Sequence, residues 1–212
     1  MSEANIYRKL RNGGLSETAA CAMMGNWYME SALKSNNVED RCTLSDEEYT
    51  SAVDDGRISE YQFQADAFGY GLSQWTYPSR KQELWLFAKQ KSVSVSDEDM
   101  QVEFALKEMK RDYSGLYGYL CSTSDLYAAT SRICSEYENP RVKNVQERYE
   151  MAKKYYNGRG SLKEDETGCE TAQNGDSGTS DAQVEKYTLE AENIAKDDSH
   201  GYSQQNRTGN PD

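Results

Sequence analysis

Histidine is almost missing from this sequence. The single one, His200, lies in the C-terminal tail of a 212-residue chain. That removes Cys–His and Ser–His–Asp machinery from the rest of the protein. The five cysteines, Cys21, Cys42, Cys121, Cys134 and Cys169, are odd in number and far apart, with no Cys-x-x-Cys pair. No zinc site is therefore expected; the open readings are small buried hydrophobes or one disulfide. Positive charge is short as well. Lys and Arg number 24 against 36 Asp and Glu, a net charge of −12, and no basic stripe offers a footprint for phosphates. A nucleic-acid partner is not expected. Long apolar runs are missing too: mean hydropathy is −0.95, and stretches such as Ala19–Met24 end well short of the ~18 residues that cross a bilayer. No membrane association is expected, and no metal or other cofactor is implied. Met1–Gly14 carries Arg8, Lys9 and Arg11 but no apolar segment follows, so a secretory leader is not expected either.

What is present is unevenly distributed. Residues 160–212 hold 4 Lys/Arg and 12 Asp/Glu, net −8, which leaves net −4 for residues 1–159. Gly158–Gln183 is built from Gly, Ser, Thr, Asp and Glu with almost nothing to bury, the composition of a flexible linker. The expected organisation is a folded domain at 1–157, an acidic linker at 158–183, and a last segment at 184–212.

Residues 1–157 read as mainly α. Asn5–Asn12 predicts a short helix stopped by Gly13-Gly14, and Ser16 then caps a helix running toward Ser31. Ser79 with Gln82 predicts a capping box for a helix over Arg80–Lys91, with Arg80 paired to Glu83. Ser96 and Asp99 open another, with Val102, Leu106, Met109 and Tyr113 at helical spacing. Ser124 opens a helix ending before Pro140, and Val145–Tyr156 forms one stopped by Asn157-Gly158. Between them, residues 42–77 predict a small irregular or β lobe, with Asp55-Gly56, Gly69 and Gly71 as turn signals.

Chemistry must then come from carboxylates, hydroxyls and amides. Met23, Trp27 and Glu30 are spaced four and three apart, so they share one helix face. A carboxyl on that apolar stripe beside an indole is desolvated, which favours the protonated form a general acid needs. Spacing alone leaves open a helix-end Glu facing solvent. Gly69 and Gly71 permit a close approach to the backbone, Gln74 offers a donor and an acceptor, and Tyr70 and Tyr137 offer flat apolar faces with a polar edge. Trp75 reads as core.

Three linked motifs, Gly25-Asn26-Trp27-Tyr28-Met29-Glu30-Ser31, Gly69-Tyr70-Gly71-Leu72-Ser73-Gln74-Trp75-Thr76 and Tyr137-Glu138-Asn139-Pro140, resemble the phage tail-type lysozyme domain over about Ile6 to Tyr156. That family is related to goose-type lysozymes and soluble lytic transglycosylases. The resemblance implies an α+β lysozyme-like fold and makes Glu30, ahead of Ser31 at a helix end, the general acid. It implies that Gly71-Leu72-Ser73-Gln74 lines the sugar cleft, and that Tyr137-Glu138-Asn139 closes the cleft floor, giving Tyr70, Gln74, Tyr137 and Asn139 as substrate contacts. The implied substrate is the peptidoglycan glycan strand, so the chain is expected to act on the bacterial wall.

The second carboxylate departs from the pattern. Inverting goose-type lysozymes carry an Asp where this sequence has Thr76, and another some ten residues upstream, near which stand Glu60 and Asp66. Asp66 is the expected water-activating base. Three readings follow: a muramidase cutting the β-1,4 bond between N-acetylmuramic acid and N-acetylglucosamine, a lytic transglycosylase leaving anhydro ends on that bond, or a wall-binding module without catalysis. In the tail, a linker helix over Ser180–Lys196 precedes Asp198-Ser199-His200-Gly201-Tyr202, which resembles the opening of cysteine peptidase-like domains of phage lytic enzymes. The expectation is a two-domain wall hydrolase whose peptidase half is cut off before its nucleophile.

Overall fold

The computed structural model describes residues 3–164. Among them the chain is helical nearly throughout: α1 Glu3–Asn12, α2 Glu17–Ser31, α3 Asp46–Asp54, α4 Glu60–Ala65, α5 Pro78–Lys91, α6 Glu98–Asp112, α7 Ser114–Leu120, α8 Leu126–Arg132, a π-helical turn Ile133–Glu138, and α9 Val145–Glu164. The anticipated linker helix over 180–196 and the His200 motif lie outside the described residues.

The centre is α2. Ser16 caps it by accepting the Ala19 N–H at 3.0 Å. From Thr18 to Trp27 every side chain is buried, so this helix is apolar all round, as a helix enclosed by its neighbours must be. It lies chiefly against α9 and α8. Gly25 permits the α9 approach: a Cβ there would stand 2.6 Å from the Ala152 nitrogen and 2.7 Å from the Arg148 carbonyl. Left-handed Ala32 and Leu33 (φ 53° and 61°) end the helix, and the Ala32 N–H bonds back to the Tyr28 carbonyl. Glu30 is thereby fixed in the last turn.

Several expectations change in detail. Residues 42–77 contain two helices, α3 and α4, each opened by a complete capping box, Ser45 with Glu48 and Ser59 with Gln62. The β character there reduces to the bridges Val38↔Tyr70 and Tyr70↔Trp75. Helix α5 begins at Pro78 with no side-chain cap from Ser79, because proline at the first position already presets φ and lacks the orphan N–H. Arg80 pairs with Glu108, while Glu83 is held by Arg111. Helix α9 continues through Gly158 and Gly160 to Glu164, with Arg159 and Lys163 on either side of the second glycine reaching Glu17 at the start of α2.

Cys21, Cys42, Cys121 and Cys134 form no disulfide with one another. Burial pushes the Cys21 thiol up to about 12 and raises that of Cys134, so both behave as small hydrophobes. No helix among the described residues is long and apolar enough to cross a membrane.

Candidate active site

The C-terminal end of α2 is stitched to the loop at residues 69–76. Trp27 Nε1–H donates to Ser73 Oγ at 2.6 Å, and Ser31 Oγ–H donates to the carbonyls of Trp27 and Leu72, both at 3.1 Å. The loop is a tight turn in which Tyr70 and Trp75 exchange backbone hydrogen bonds and the Gly71 N–H reaches the Asn37 carbonyl at 2.8 Å. Gly71 has φ 72°, and a Cβ on it would lie 2.5 Å from Gln101 Oε1. Gln101 is buried and builds the loop from beneath: its Oε1 accepts the Leu72 N–H at 2.9 Å, and its amide donates to the carbonyls of Ser35 and Val95. The close approach allowed by Gly71 is thus to Gln101, not to a sugar. At Gly69 it is to Gln74, whose Oε1 would stand 2.7 Å from an added Cβ.

Glu30 emerges beside this loop with its side chain 16% exposed, and Arg148 Nη2 of α9 holds its Oε1 at 2.6 Å. The same guanidinium donates to the backbone and side-chain oxygens of Asn26, each at 3.3 Å, and to the Lys143 carbonyl at 3.1 Å. Every nitrogen of Arg148 is therefore engaged. Glu138, the last residue of the π-helical turn, receives the Ser73 hydroxyl at 3.3 Å on Oε1. Its ionisation is pushed up to about 8, first by burial and then by the negative charge of Glu30, against the opposing pull of Arg80 and Arg148. Of the two carboxyls, Glu30 is ion-paired to Arg148, whereas Glu138 has no ion-pair partner among the described residues.

Beneath them is a buried platform. Glu108 of α6 takes two bonds from Arg80, at 2.7 and 2.8 Å, one from Trp75 Nε1 at 2.9 Å and one from the Tyr137 hydroxyl at 2.7 Å. Those four side chains lock α5, α6, the loop and the π-helical turn together.

The remaining candidates are placed as follows. Asp66 is not among these groups: Lys81 and the Phe68 N–H hold Oδ1, and the Tyr49 hydroxyl holds Oδ2. Lys81 there is fully buried, 4.3 Å above the Phe63 ring. Tyr70 is buried with its hydroxyl 2.6 Å from Thr50 Oγ1, and Tyr137 is buried over Glu108. Trp75 is fully buried, in agreement with the core assignment. Gln74, at φ 47°, spends its amide N–H groups on Asn37 and on the Gly71 carbonyl. Asn139 is left-handed at φ 44° and exposed, and its N–H closes the π turn onto the Cys134 carbonyl at 2.9 Å. Arg148, Glu108, Gln101 and Ser73 do not stand out in the sequence, since each is a single polar residue on a helix or loop whose partners come from other elements. Among the described residues, no group of three or more His, Cys, Asp or Glu is disposed to hold a metal ion.

A family model described as phage tail lysozyme matches residues 2–158, a stretch that holds both the end of α2 and the loop at residues 69–76. The chain belongs to the phage tail lysozyme family. No curated protein matches it. Membership brings the mainly α lysozyme-like domain and, at the level of the family, a peptidoglycan-lytic activity directed at the cell wall. In this phage tail lysozyme domain the matched stretch ends at residue 158, six residues before the end of α9 at Glu164.

Proposed function

We propose that this domain is an N-acetylmuramidase that cuts the β-1,4 bond between N-acetylmuramic acid and N-acetylglucosamine, with Glu30 as general acid. The observation that carries the reading is the position of Glu30: part-exposed, in the last turn of a buried helix, and held by Arg148 beside the loop at residues 69–76. Glu30 gives its proton to the bridging oxygen as the bond from that oxygen to the anomeric carbon breaks. Water adds to the anomeric carbon, and its surplus proton returns to Glu30, so the site ends as it began.

Asp66 is read as structural, because its oxygens are occupied by Lys81, Tyr49 and the Phe68 N–H. Tyr70 and Tyr137 are read as cleft supports, since both rings are enclosed. Gln74 Oε1 and the side chain of Asn139 remain as groups that can meet an N-acetyl or hydroxyl group. Beyond the end of α9, residues up to 183 are read as a linker, and 184–212 as a linker helix and the start of a cysteine peptidase-like domain.

Digestion of purified peptidoglycan, followed by mass spectrometry with and without borohydride, tests the reading. Reducible N-acetylmuramic ends are expected. Anhydro ends, lighter by one water and inert to borohydride, would make it a lytic transglycosylase, and intact glycan with bound protein would make it a wall-binding module.

A further inference from the structure

We propose that the groove between α1 and α6 is a retention site for an anionic cell-wall polymer built on phosphate diesters. The inference concerns binding and does not depend on which glycan bond the domain cuts. It starts from a contrast of charge. The chain carries a net −12, yet Lys9 on one wall and Lys107, Lys110 and Arg111 on the other line a single groove whose one carboxylate is Glu103. No basic stripe marks it in the sequence, because its walls come from two distant segments.

The four cations are not equivalent. Arg111 is held by Glu83 at 2.6 Å and Asp112 at 2.7 Å, Lys9 by Asp99 at 2.9 Å, and Glu103 itself is taken by Lys91 at 2.5 Å. Lys107 and Lys110 are exposed and make no ion pair among the described residues. Their ammonium groups stand 4.9 Å from the centre of the Phe87 ring and 5.3 Å from that of Tyr117. A ring under a lysine steadies the ammonium without cancelling its charge. Residues three apart share a helix face, with Cβ atoms about 5–6 Å apart, so two uncompensated charges stand side by side. The dipole of α6 favours cations in its last turn, where Lys110 and Arg111 lie. It does not account for Lys107 one turn earlier, nor for Lys9 across the groove. Between the walls the floor is bare: a Cβ on Gly13 would meet Leu106 Cδ1 at 2.3 Å, so no side chain fits there.

The kind of cation left over selects the ligand. A guanidinium fork grips the planar edge of a carboxylate through two parallel bonds, and the fork of Arg111 is spent on Asp112 and Glu83. What remains is a pair of compact ammonium charges, which suit the spread charge of a phosphate diester. At about 790 Å³ the groove has room for a run of such groups rather than one ion. The family is directed at the cell wall, and wall polymers with phosphate in their backbone supply that run. Salt limits the reach of exposed charges to about 10 Å at about 0.1 M, so the lysine pair acts locally while the acidic charge elsewhere on the chain is screened.

The test is retention of the full chain on purified walls, intact or stripped of phosphate polymers with hydrofluoric acid, across a salt series. Retention on intact walls should fall as salt rises and should be lost on stripped walls. An exposed charge contact is worth at most about fivefold, so Lys107→Gln with Lys110→Gln should weaken binding of isolated poly(glycerol phosphate) by about tenfold. Arginine at both positions should keep it. A control, Lys34→Gln with Lys154→Gln, removes the same charge from two other exposed lysines and should bind as wild type. Absence of retention on intact walls at low salt, or equal retention on stripped walls, would overturn the proposal. So would an equal loss in both double variants, which would make net charge the cause, or equally tight binding of double-stranded DNA, which would make the groove a general phosphate site. Cleavage is not the readout, so a chain that cuts no glycan defeats the glycosidase reading and leaves this one standing. If the Gln double variant does not fold, the stripped walls and the DNA decide with wild type alone.

Discussion

Arg148 and Glu30 stand 118 residues apart in the chain and meet at 2.6 Å. Their ion pair joins the first turn of α9 to the last turn of α2, so the orientation of the candidate acid depends on helix docking at the far end of the sequence. Breaking that docking should therefore damage the site before it unfolds the domain.

The Glu30→Gln variant removes the exchangeable proton while keeping shape and size. Glycan cleavage should fall by at least about 10²-fold, the lower range for a lost general acid. Thermal melting should fall, because Arg148 loses its charged partner in a site only 4% exposed, but the variant should stay folded at assay temperature, and sedimentation with purified walls should be unchanged. Cleavage that survives at a tenth of the wild-type rate would place the acid elsewhere.

Arg148→Met deletes the bonds to Glu30, Asn26 and Lys143 together while leaving a long apolar stem in a site that is only 4% exposed. Breaking a buried pair by removing one partner costs roughly 3–5 kcal/mol. Urea unfolding should report a loss near the lower end, because Glu30 keeps some contact with water. Arg148→Lys should recover part of it, through charge alone, without the forked geometry that serves Asn26.

At Lys81 the outcome separates structure from catalysis. Lys81 is fully buried and bonded to Asp66, so Lys81→Met and Asp66→Asn should each destabilise the fold, by roughly 3–5 kcal/mol for a broken pair. The double variant should be more stable than the sum of the two, since it leaves no unpaired charge. Folded Asp66→Asn protein should still cut glycan within a few-fold of wild type; a loss of 10²-fold or more with normal melting would return Asp66 to the role of base.

Stability should also depend on pH in a particular direction. Glu138 ionises near 4.5 when unfolded and near about 8 in the fold. Between those values the native chain binds more protons than the unfolded one, so stability falls as pH rises through the window and levels off above it. Glu17, Glu39 and Asp99 lie below their ordinary range through contacts with Lys163, Arg41 and Lys9, and their contribution is lost instead on acidification, below that window. Melting temperatures from about pH 5 to 8 should decline in wild type and much less in Glu138→Gln.

Much of the helical frame is readable from the sequence because its signals are local. Ser16 caps α2 through the Ala19 N–H three residues on, and the stop after Ser31 fixes Glu30 at a helix end. The capped helices α3 and α4 are equally local, yet Asp55-Gly56 and the glycines at 69 and 71 draw the eye to turns and hide them. The pairing of the site is not local at all. Arg80 has Glu83 within a turn, and it takes Glu108 instead because that carboxylate also gathers Trp75 and Tyr137, a convergence of four elements. Glu138 is visible in its motif, but only the fold hands it to the Ser73 hydroxyl without an ion pair among the described residues, and only the fold uses up the oxygens of Asp66.

The π-helical turn Ile133–Glu138 gives the site an angular setting that is independent of the core. Its ring closes over five residues, from the Asn139 N–H to the Cys134 carbonyl, one more than an α-helix uses. Each residue on a helix advances the side-chain direction by roughly 100°. Removing one residue from this turn would restore α geometry and swing the 138 position away from Ser73, while Ile133 and Cys134 stayed seated. A one-codon insertion or deletion at the end of α8 is thus enough to turn the 138 carboxyl toward Ser73 or away from it while the core beneath stays the same.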